Sequence, residues 1–428
     1  MHMRSCGVPP RKALETLGGY RWLENRAKHV KCPDMTDSSL DYDVIVIGGG
    51  PAGLTAAIAL ADAGARTALL ARRAPYADNR TTALLGASTD ILDRLDVWRR
   101  CSDRAAALKT MRLVDDTGRL IRAPEVRFSS DEIGREQFGF NIDNRSLVAA
   151  LEDRTGELSA LTRFDDEAAS VRPDDAKITV VTRQGQSLQA RLVVGADGRN
   201  SLSREAAGIE VTSRDLGQSA LTFNITHTRP HNNISTEFHT EHGPCVFVPL
   251  SGNRSSVVWV SAPKEAERLM ALGDDELSLA AERQSHSILG RVEVQGGRHV
   301  FPLAIERPRQ FAKDRIALVG ESAHVLPPIG AQGLNMGLRD AADIAEITGQ
   351  AIGRGEDPGA PNVLWRYQAA RRPDVASRTW AIDIANRSLL SDFLGMQTAR
   401  AAGLHLLGAF GPLRRLAMRE GLAPSWRR

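Results

Sequence analysis

Cysteine and tyrosine are the scarce residues of this 428-residue chain, with four of each. Cys6, Cys32, Cys101 and Cys245 form no C-x-x-C pair and no metal-ligand spacing. That argues against a disulfide framework and a zinc site and fits a reducing, cytoplasmic setting. Tyr20, Tyr42, Tyr76 and Tyr367 leave the middle of the chain without a phenol. Uncharged stretches are also short. The longest candidate for a membrane span, Val44 to Ala61, is interrupted by Gly48, Gly49, Gly50, Pro51 and Gly53, so a strand, turn and helix explain it better than a span of about 20 residues.

An excess of positive charge is missing too, once the chain is divided. Residues 1–34 hold seven basic and three acidic side chains, whereas the remainder has 48 basic and 49 acidic. A net charge of −1 gives no general attraction for nucleic acid. The first 34 residues also carry two of the four cysteines and three of the seven lysines. They lack the amphipathic, acid-free stretch of a transit peptide, and Met35 stands just before Thr-Asp-Ser-Ser. Residues 1–34 therefore read as an upstream, dispensable extension, with Met35 a natural start. With 42% hydrophobic and 25% charged residues the rest is an ordinary globular composition, long enough for two to three domains.

What the sequence has is glycine in a particular place. Asp43 to Ile47 is a β-branched run of the kind that forms a buried parallel strand. Gly48-x-Gly50-x-x-Gly53 follows at once, then an Ala/Leu-rich helix from Pro51 to Ala63 ended by Gly64, then a strand from Arg66 to Ala71. In such a βαβ unit the glycines allow a tight turn, close approach of a pyrophosphate and close packing of helix on strand, with the helix N-terminus facing the anion. This predicts dinucleotide binding without separating FAD from NAD. An acidic residue normally ends the second strand and takes the ribose hydroxyls. Here the strand ends Leu69-Leu70-Ala71-Arg72-Arg73, and that carboxylate is missing. Further strands are predicted at Leu192–Val194, in alternation between 219 and 262, and at Arg315–Val319, with helices from about Leu334 onward.

Two later segments carry a family resemblance. They are Gly195-Ala-Asp197-Gly198-Arg-Asn-Ser201-Leu-Ser-Arg204 and Gly320-Glu321-Ser-Ala-His324-Val-Leu-Pro327-Pro328-Ile-Gly330-Ala-Gln332-Gly333-Leu334-Asn335-Met-Gly337-Leu-Arg-Asp340. With Asp78-Asn-Arg80-Thr-Thr-Ala-Leu84 and Gly139 to Arg145, the chain from about Tyr42 to Gly421 resembles the single-component flavoprotein aromatic hydroxylases, the group of 4-hydroxybenzoate hydroxylase. Within that group it is most similar to the ubiquinone-biosynthesis hydroxylases.

The resemblance implies an α/β fold, in which a Rossmann-like FAD-binding domain (41–110, 140–215 and 300–345) carries an inserted β-sheet substrate domain (111–139 and 216–299) and C-terminal helices (346–428). It implies that Gly48, Gly50, Ala52 and Gly53 lie at the FAD pyrophosphate and that Arg80 contacts FAD. Asp197 and Gly198 would belong to the segment serving FAD and reduced nicotinamide together. Gly320 and Glu321 would take the place where the family has an aspartate near the flavin ribose. Pro327, Pro328, Gly330, Gln332, Gly333, Leu334 and Asn335 would line the flavin ring and the following helix. NAD(P)H is the implied co-substrate, reaching the flavin without a nicotinamide domain, since no second glycine fingerprint exists.

The general base for a phenol stays unassigned, because no tyrosine lies where 4-hydroxybenzoate hydroxylase places one of its relay. His227, His231, His239 and His242 lack ligand spacing and read as surface or strand histidines. His324 reads either as facing the flavin or as a hydrogen-bonded structural residue.

Three functional readings follow. The first is hydroxylation of a polyprenylated phenol or benzoquinone precursor in ubiquinone biosynthesis, the second hydroxylation of a small soluble aromatic acid, the third a flavin-binding redox sensor without turnover. Leu404, Leu406, Leu407, Phe410, Leu413 and Leu416, interleaved with Arg400, Arg414, Arg415 and Arg419, read either as an ordinary packed helix or as a peripheral contact with the inner face of a membrane. A polyprenyl substrate, or a ubiquinone-biosynthesis complex, would give that contact a purpose.

Overall fold

The computed structural model describes residues 41–73, 79–119, 122–390 and 394–422. The upstream extension, and Asp78 of the third motif, lie outside them.

Four short apolar strands build the centre of a six-stranded sheet. Val44–Ile47 is wholly buried and pairs in parallel with Thr67–Leu70 on one side and Leu192–Gly195 on the other. Leu161–Phe164 and Ile316–Leu318 extend the sheet in parallel, and Ala312–Lys313 closes one edge antiparallel. Continuous burial of the four central strands explains why they are short apolar runs with no polar alternation. Helix Pro51–Asp62 connects the first two strands, with Pro51 in its first turn and Gly64 (φ +89°) turning the chain back. Helix Gln332–Gly353 packs beside it. That helix begins two residues before the predicted start, because Ala331 takes a left-handed conformation (φ +54°) and ends the preceding loop. It runs through residue 346, where the C-terminal helices were expected to start.

A seven-stranded sheet forms the second layer, in the order Val292–Pro308, Val211–His227, Arg254–Ser261, Gly243–Leu250, Ile234–Thr240, Thr110–Asp115 and Val126–Ser129. All its pairings are antiparallel except that of Ile234–Thr240 with Thr110–Asp115. Val211–His227 and Val292–Pro308 are 17 residues each and pair along most of their length, with irregularities between Asp215 and Ser219 and between Thr222 and Asn224. The expected boundaries at 215 and 300 fall inside these two strands. The described residues form one compact unit. Helices Pro361–Leu390, Leu394–Ala409 and Gly411–Leu422 follow. Cys101 and Cys245 are buried and free.

Candidate functional site

The glycine turn divides its labour. A Cβ on Gly48 would stand 2.1 Å from the carbonyl oxygen of Ala196, and one on Gly53 would stand 2.1 Å from that of Gly48. Both glycines therefore exist for backbone packing. A Cβ on Gly50 would meet nothing within 4 Å. Gly50 instead borders a cleft of about 990 Å³ lined by Gly48 to Gly50, Ala71 to Arg73, Glu152, Asp153 and Asp197. Ala52 packs against Gly320 and Gly337, each of which has no room for more than light contact.

Asp197 lines the same cleft, but its carboxylate is already engaged. It accepts from Ser201 Oγ at 2.5 Å and from the backbone N–H and hydroxyl of Ser203 at 2.9 and 3.0 Å, fixing the turn that contains Gly198 (φ +79°). At Ala71 the second strand carries no acid. The exposed Arg72 side chain donates to Glu167, that of Arg73 lies 3.9 Å from Glu152, and the Arg73 backbone N–H donates to Asp165.

A second cavity, of about 450 Å³, brings together four of the sequence motifs, two of them through Asn141 and Arg199. Arg80 to Ala83 line it from one side, and Glu321, Pro327, Pro328, Gly330, Gly333 and Leu334 line it from another. Leu108, Met111, Phe138, Val246, Val248 and Phe301 supply much of the remaining wall, with no tyrosine among the described lining residues. Two predicted residues stand behind this wall instead of in it. Asn335 is fully buried and spends its amide on Leu85 N (2.8 Å), Ala83 O (2.7 Å) and Ala331 O (2.5 Å). Gln332 holds Gly330 O and Arg378. Their side chains shape the loop that the sequence reading had them line.

His324 is the structural residue of its two readings. Its Nε2 is 2.7 Å from Asp340 Oδ2, and both side chains are buried. Asp340 also accepts from the Gly320 N–H at 3.0 Å and pairs with the fully buried Arg371. Arg371 reaches Asp374 (2.9 Å) and Asp343 (3.0 Å), and Asp374 takes Arg339 (2.9 Å) and Arg378 (2.8 Å) as well. Burial pushes the Asp340 carboxyl upward, but the Arg371 guanidinium and His324 outweigh it and hold it at about 2. This ionic cluster ties the Gly320–His324 turn, and so Glu321, to both long helices. His324, Arg339 and Asp340 lie in the Gly320–Asp340 segment, whereas Arg371, Asp374 and Arg378 had no sequence signature.

The clustered histidines go to separate partners. His227 contacts Arg229 O and Ser255 Oγ, and burial lowers its pKa. His231 contacts Leu250 O, and His239 contacts Glu237. Glu237, together with Ser235 and Arg199, lines the second cavity, and the sequence reading missed all three. Strand alternation was the available signal, since it puts Ser235, Glu237 and His239 on one face.

The comparisons with known proteins agree with this geometry. The model of the family described as FAD binding domain matches residues 41–379. The ubiquinone hydroxylase UbiL of Rhodospirillum rubrum is 33% identical over 387 residues, covering 89% of each chain. The 3-demethoxyubiquinol 3-hydroxylase of Escherichia coli is 26% identical over 89% of this chain and 98% of that one. Among solved structures, p-nitrophenol 4-monooxygenase PnpA of Pseudomonas putida superposes with a TM-score of 0.72 over 89% of this chain and 98% of that one. At 20% identity that likeness speaks for the fold alone. A family match over most of the chain, a relative at one-third identity and the flavin-hydroxylase fold lead to one conclusion: the chain belongs to the FAD binding domain family and is a FAD-dependent monooxygenase.

Proposed function

We propose that this monooxygenase uses NAD(P)H and O₂ to hydroxylate the ring of a polyprenylated phenol or benzoquinone precursor of ubiquinone. The observation that carries the reading is the second cavity, an apolar chamber built against the loop from Val325 to Leu334. Its volume is in the range of small-molecule sites. Arg199, a cation that would suit a soluble aromatic acid, is already paired with Glu306 at 2.6 Å, which favours a neutral, lipophilic ring. The names of the relatives point the same way.

The residues present fit FAD. Gly50 opens onto the first cleft, where any side chain would take the space of a pyrophosphate, and the helix from Pro51 presents its N-terminus there. Gly48 and Gly53 would shape that turn, and Asp197 would hold the neighbouring one. Arg80, Glu321 and the Pro327–Leu334 loop would hold the flavin end. When bound, the flavin supplies the redox and oxygen chemistry. The chain orients the ring against the loop and excludes water by its apolar wall.

Among the described residues no helix is long and apolar enough to cross a membrane. Helix Gly411–Leu422 exposes Leu413 and Leu416 beside Arg415 and Arg419, while Met418 and Leu422 pack inward against Phe138 and Leu85 at the cavity. The reading includes a peripheral contact of this helix with an anionic lipid surface, from which a polyprenyl chain would enter.

The test is turnover by the purified protein. A prenylated phenol in detergent should stimulate NAD(P)H oxidation and yield a hydroxylated product, and hydroxybenzoates should not. The reverse preference would establish the small-acid reading.

A further inference from the structure

The second cavity has two facing walls. The flavin loop forms one, and the seven-stranded sheet forms the other through Ser235, Glu237, Val246, Val248 and Val258. On that sheet wall Glu237 is the carboxylate. Val246 and Leu113 flank it in register on the neighbouring strands, so its immediate cross-strand neighbours are apolar. Its Oε1 accepts from His239 Nε2 at 2.9 Å, and the two side chains are only 15% and 11% exposed. Among the described residues no donor is bonded to the other oxygen, Oε2.

We propose that Glu237 is the base that removes the proton from the substrate's ring hydroxyl, with His239 as the positioning residue that holds its carboxylate. The inference rests on the reading of the substrate as a phenol. Such a ring becomes a better nucleophile when its oxygen is ionised, and no tyrosine is among the described residues that line the cavity. In the step the phenol O–H bond breaks and an Oε2–H bond forms. The electron pair stays on the phenol oxygen, so a carboxylate and a phenol become a carboxylic acid and a phenolate with no change in net charge. The proton leaves to water after product release.

The charged groups around Glu237 leave this role to it. Asp115, in register with His239 on the parallel neighbour, is occupied by the Thr117 N–H and hydroxyl and by the Ala123 N–H. Asp116 is held by Gln284 and His286. Glu321 is exposed and sits on the flavin loop, across the cavity. Arg80 and Arg199, the latter paired with Glu306, are the arginines lining the chamber.

The experiment compares two phenols with the same prenyl chain in the flavin-loaded protein. One has the ordinary phenol pKa of about 10; the other is ring-fluorinated and ionised at neutral pH. Glu237→Gln should bind both, yet lose about a hundredfold in product formed per NAD(P)H on the ordinary phenol, the usual scale for a lost general base, with the difference released as hydrogen peroxide. On the fluorinated phenol it should match the unchanged protein, and raising the pH should restore the ordinary phenol as well. His239→Gln should show a smaller loss with the same rescue, and it carries the test if Glu237→Gln does not retain flavin. Equal uncoupling on both phenols, or no uncoupling on either, would overturn the role of Glu237 while leaving the substrate reading intact. If the unchanged protein hydroxylates neither phenol, the substrate reading falls and this inference with it.

Discussion

Glu152 clasps Arg163 through both carboxylate oxygens, at 2.8 and 2.7 Å, and Arg163 in turn donates to the carbonyl oxygen of Ala71. The pair buttresses the end of the strand where a ribose-binding carboxylate is customary, with its charge spent internally. A ribose placed in the cleft therefore meets no unengaged acid from Glu152.

Ala71→Glu should accordingly tighten FAD binding by about tenfold, equivalent to about 1.4 kcal/mol, the scale of one charge-assisted hydrogen bond. Titration of the apoprotein followed by flavin fluorescence measures this. Unchanged affinity would mean that another group already serves the ribose hydroxyls.

The three glycines of the turn should fail in different ways. Gly50→Val should yield folded protein without FAD, because its side chain projects into the open cleft. Gly48→Ala and Gly53→Ala each drive a Cβ into a backbone carbonyl, and Gly48 also has φ +121°, so both should lose folded protein before cofactor. Circular dichroism and flavin absorbance together separate the two outcomes. Flavin retained in Gly50→Val would remove the turn from the site.

The buried ionic cluster sets an acid limit. Asp340 titrates at about 2 in the folded chain, and Asp374 is held below the ordinary carboxylate range by its three arginines despite its burial. The unfolded value is about 3.9, so this stabilisation is complete above about pH 4 and is lost as pH falls through the folded value. Thermal midpoints should be level from neutral pH down to about 4 and then drop steeply. Asp340→Asn should flatten that drop. Asp374→Ala, which leaves buried arginines short of a partner, should cost about 3–5 kcal/mol at neutral pH.

The lipid contact is tested by sedimentation with vesicles containing anionic phospholipid. Replacing Leu413 and Leu416 by aspartate should abolish binding without changing flavin content. Replacing Arg415 and Arg419 by alanine should weaken it and reduce its sensitivity to salt.

The parts legible in the sequence were those whose information is local. Val44 to Ala71 declares a strand, a glycine turn, a helix and a strand within one short segment, and the structure differs only by a residue at the ends. Alternation between 219 and 262 announced strands, but not that Val292–Pro308 would pair with Val211–His227, because register across a long loop is decided by packing and not by pattern. The motif around Gly330 identified the right loop. It could not tell that the Asn335 side chain would turn back to Leu85 and Ala83 while Gly333 and Leu334 faced the cavity. Glu237 stayed hidden because a glutamate beside several histidines in a strand looks like a solvated edge until the opposite wall is known. Arg371 and Asp340 lie on different helices, and no spacing rule links them.

The paired 17-residue strands have a mechanical meaning. Their Val211 and Pro308 ends adjoin Ile209 and Phe311 of the parallel-sheet core and their other ends put Ile225 and Val292 into the second core, so they act as a two-ply splint between the two. A splint of this kind resists flexing, and the layers cannot swing apart like jaws without breaking its ladder of hydrogen bonds. Its weak joints are two, the irregular stretch at Asp215 to Ser219, where Gly217 has φ +63°, and the break between Thr222 and Asn224, opposite Gly297 with φ +89°. Traffic into the chamber then has to pass by movement of the rim, the Val325–Ala331 loop and the C-terminal helix beside Phe138, while the sheet bearing Glu237 keeps its distance from the flavin loop fixed.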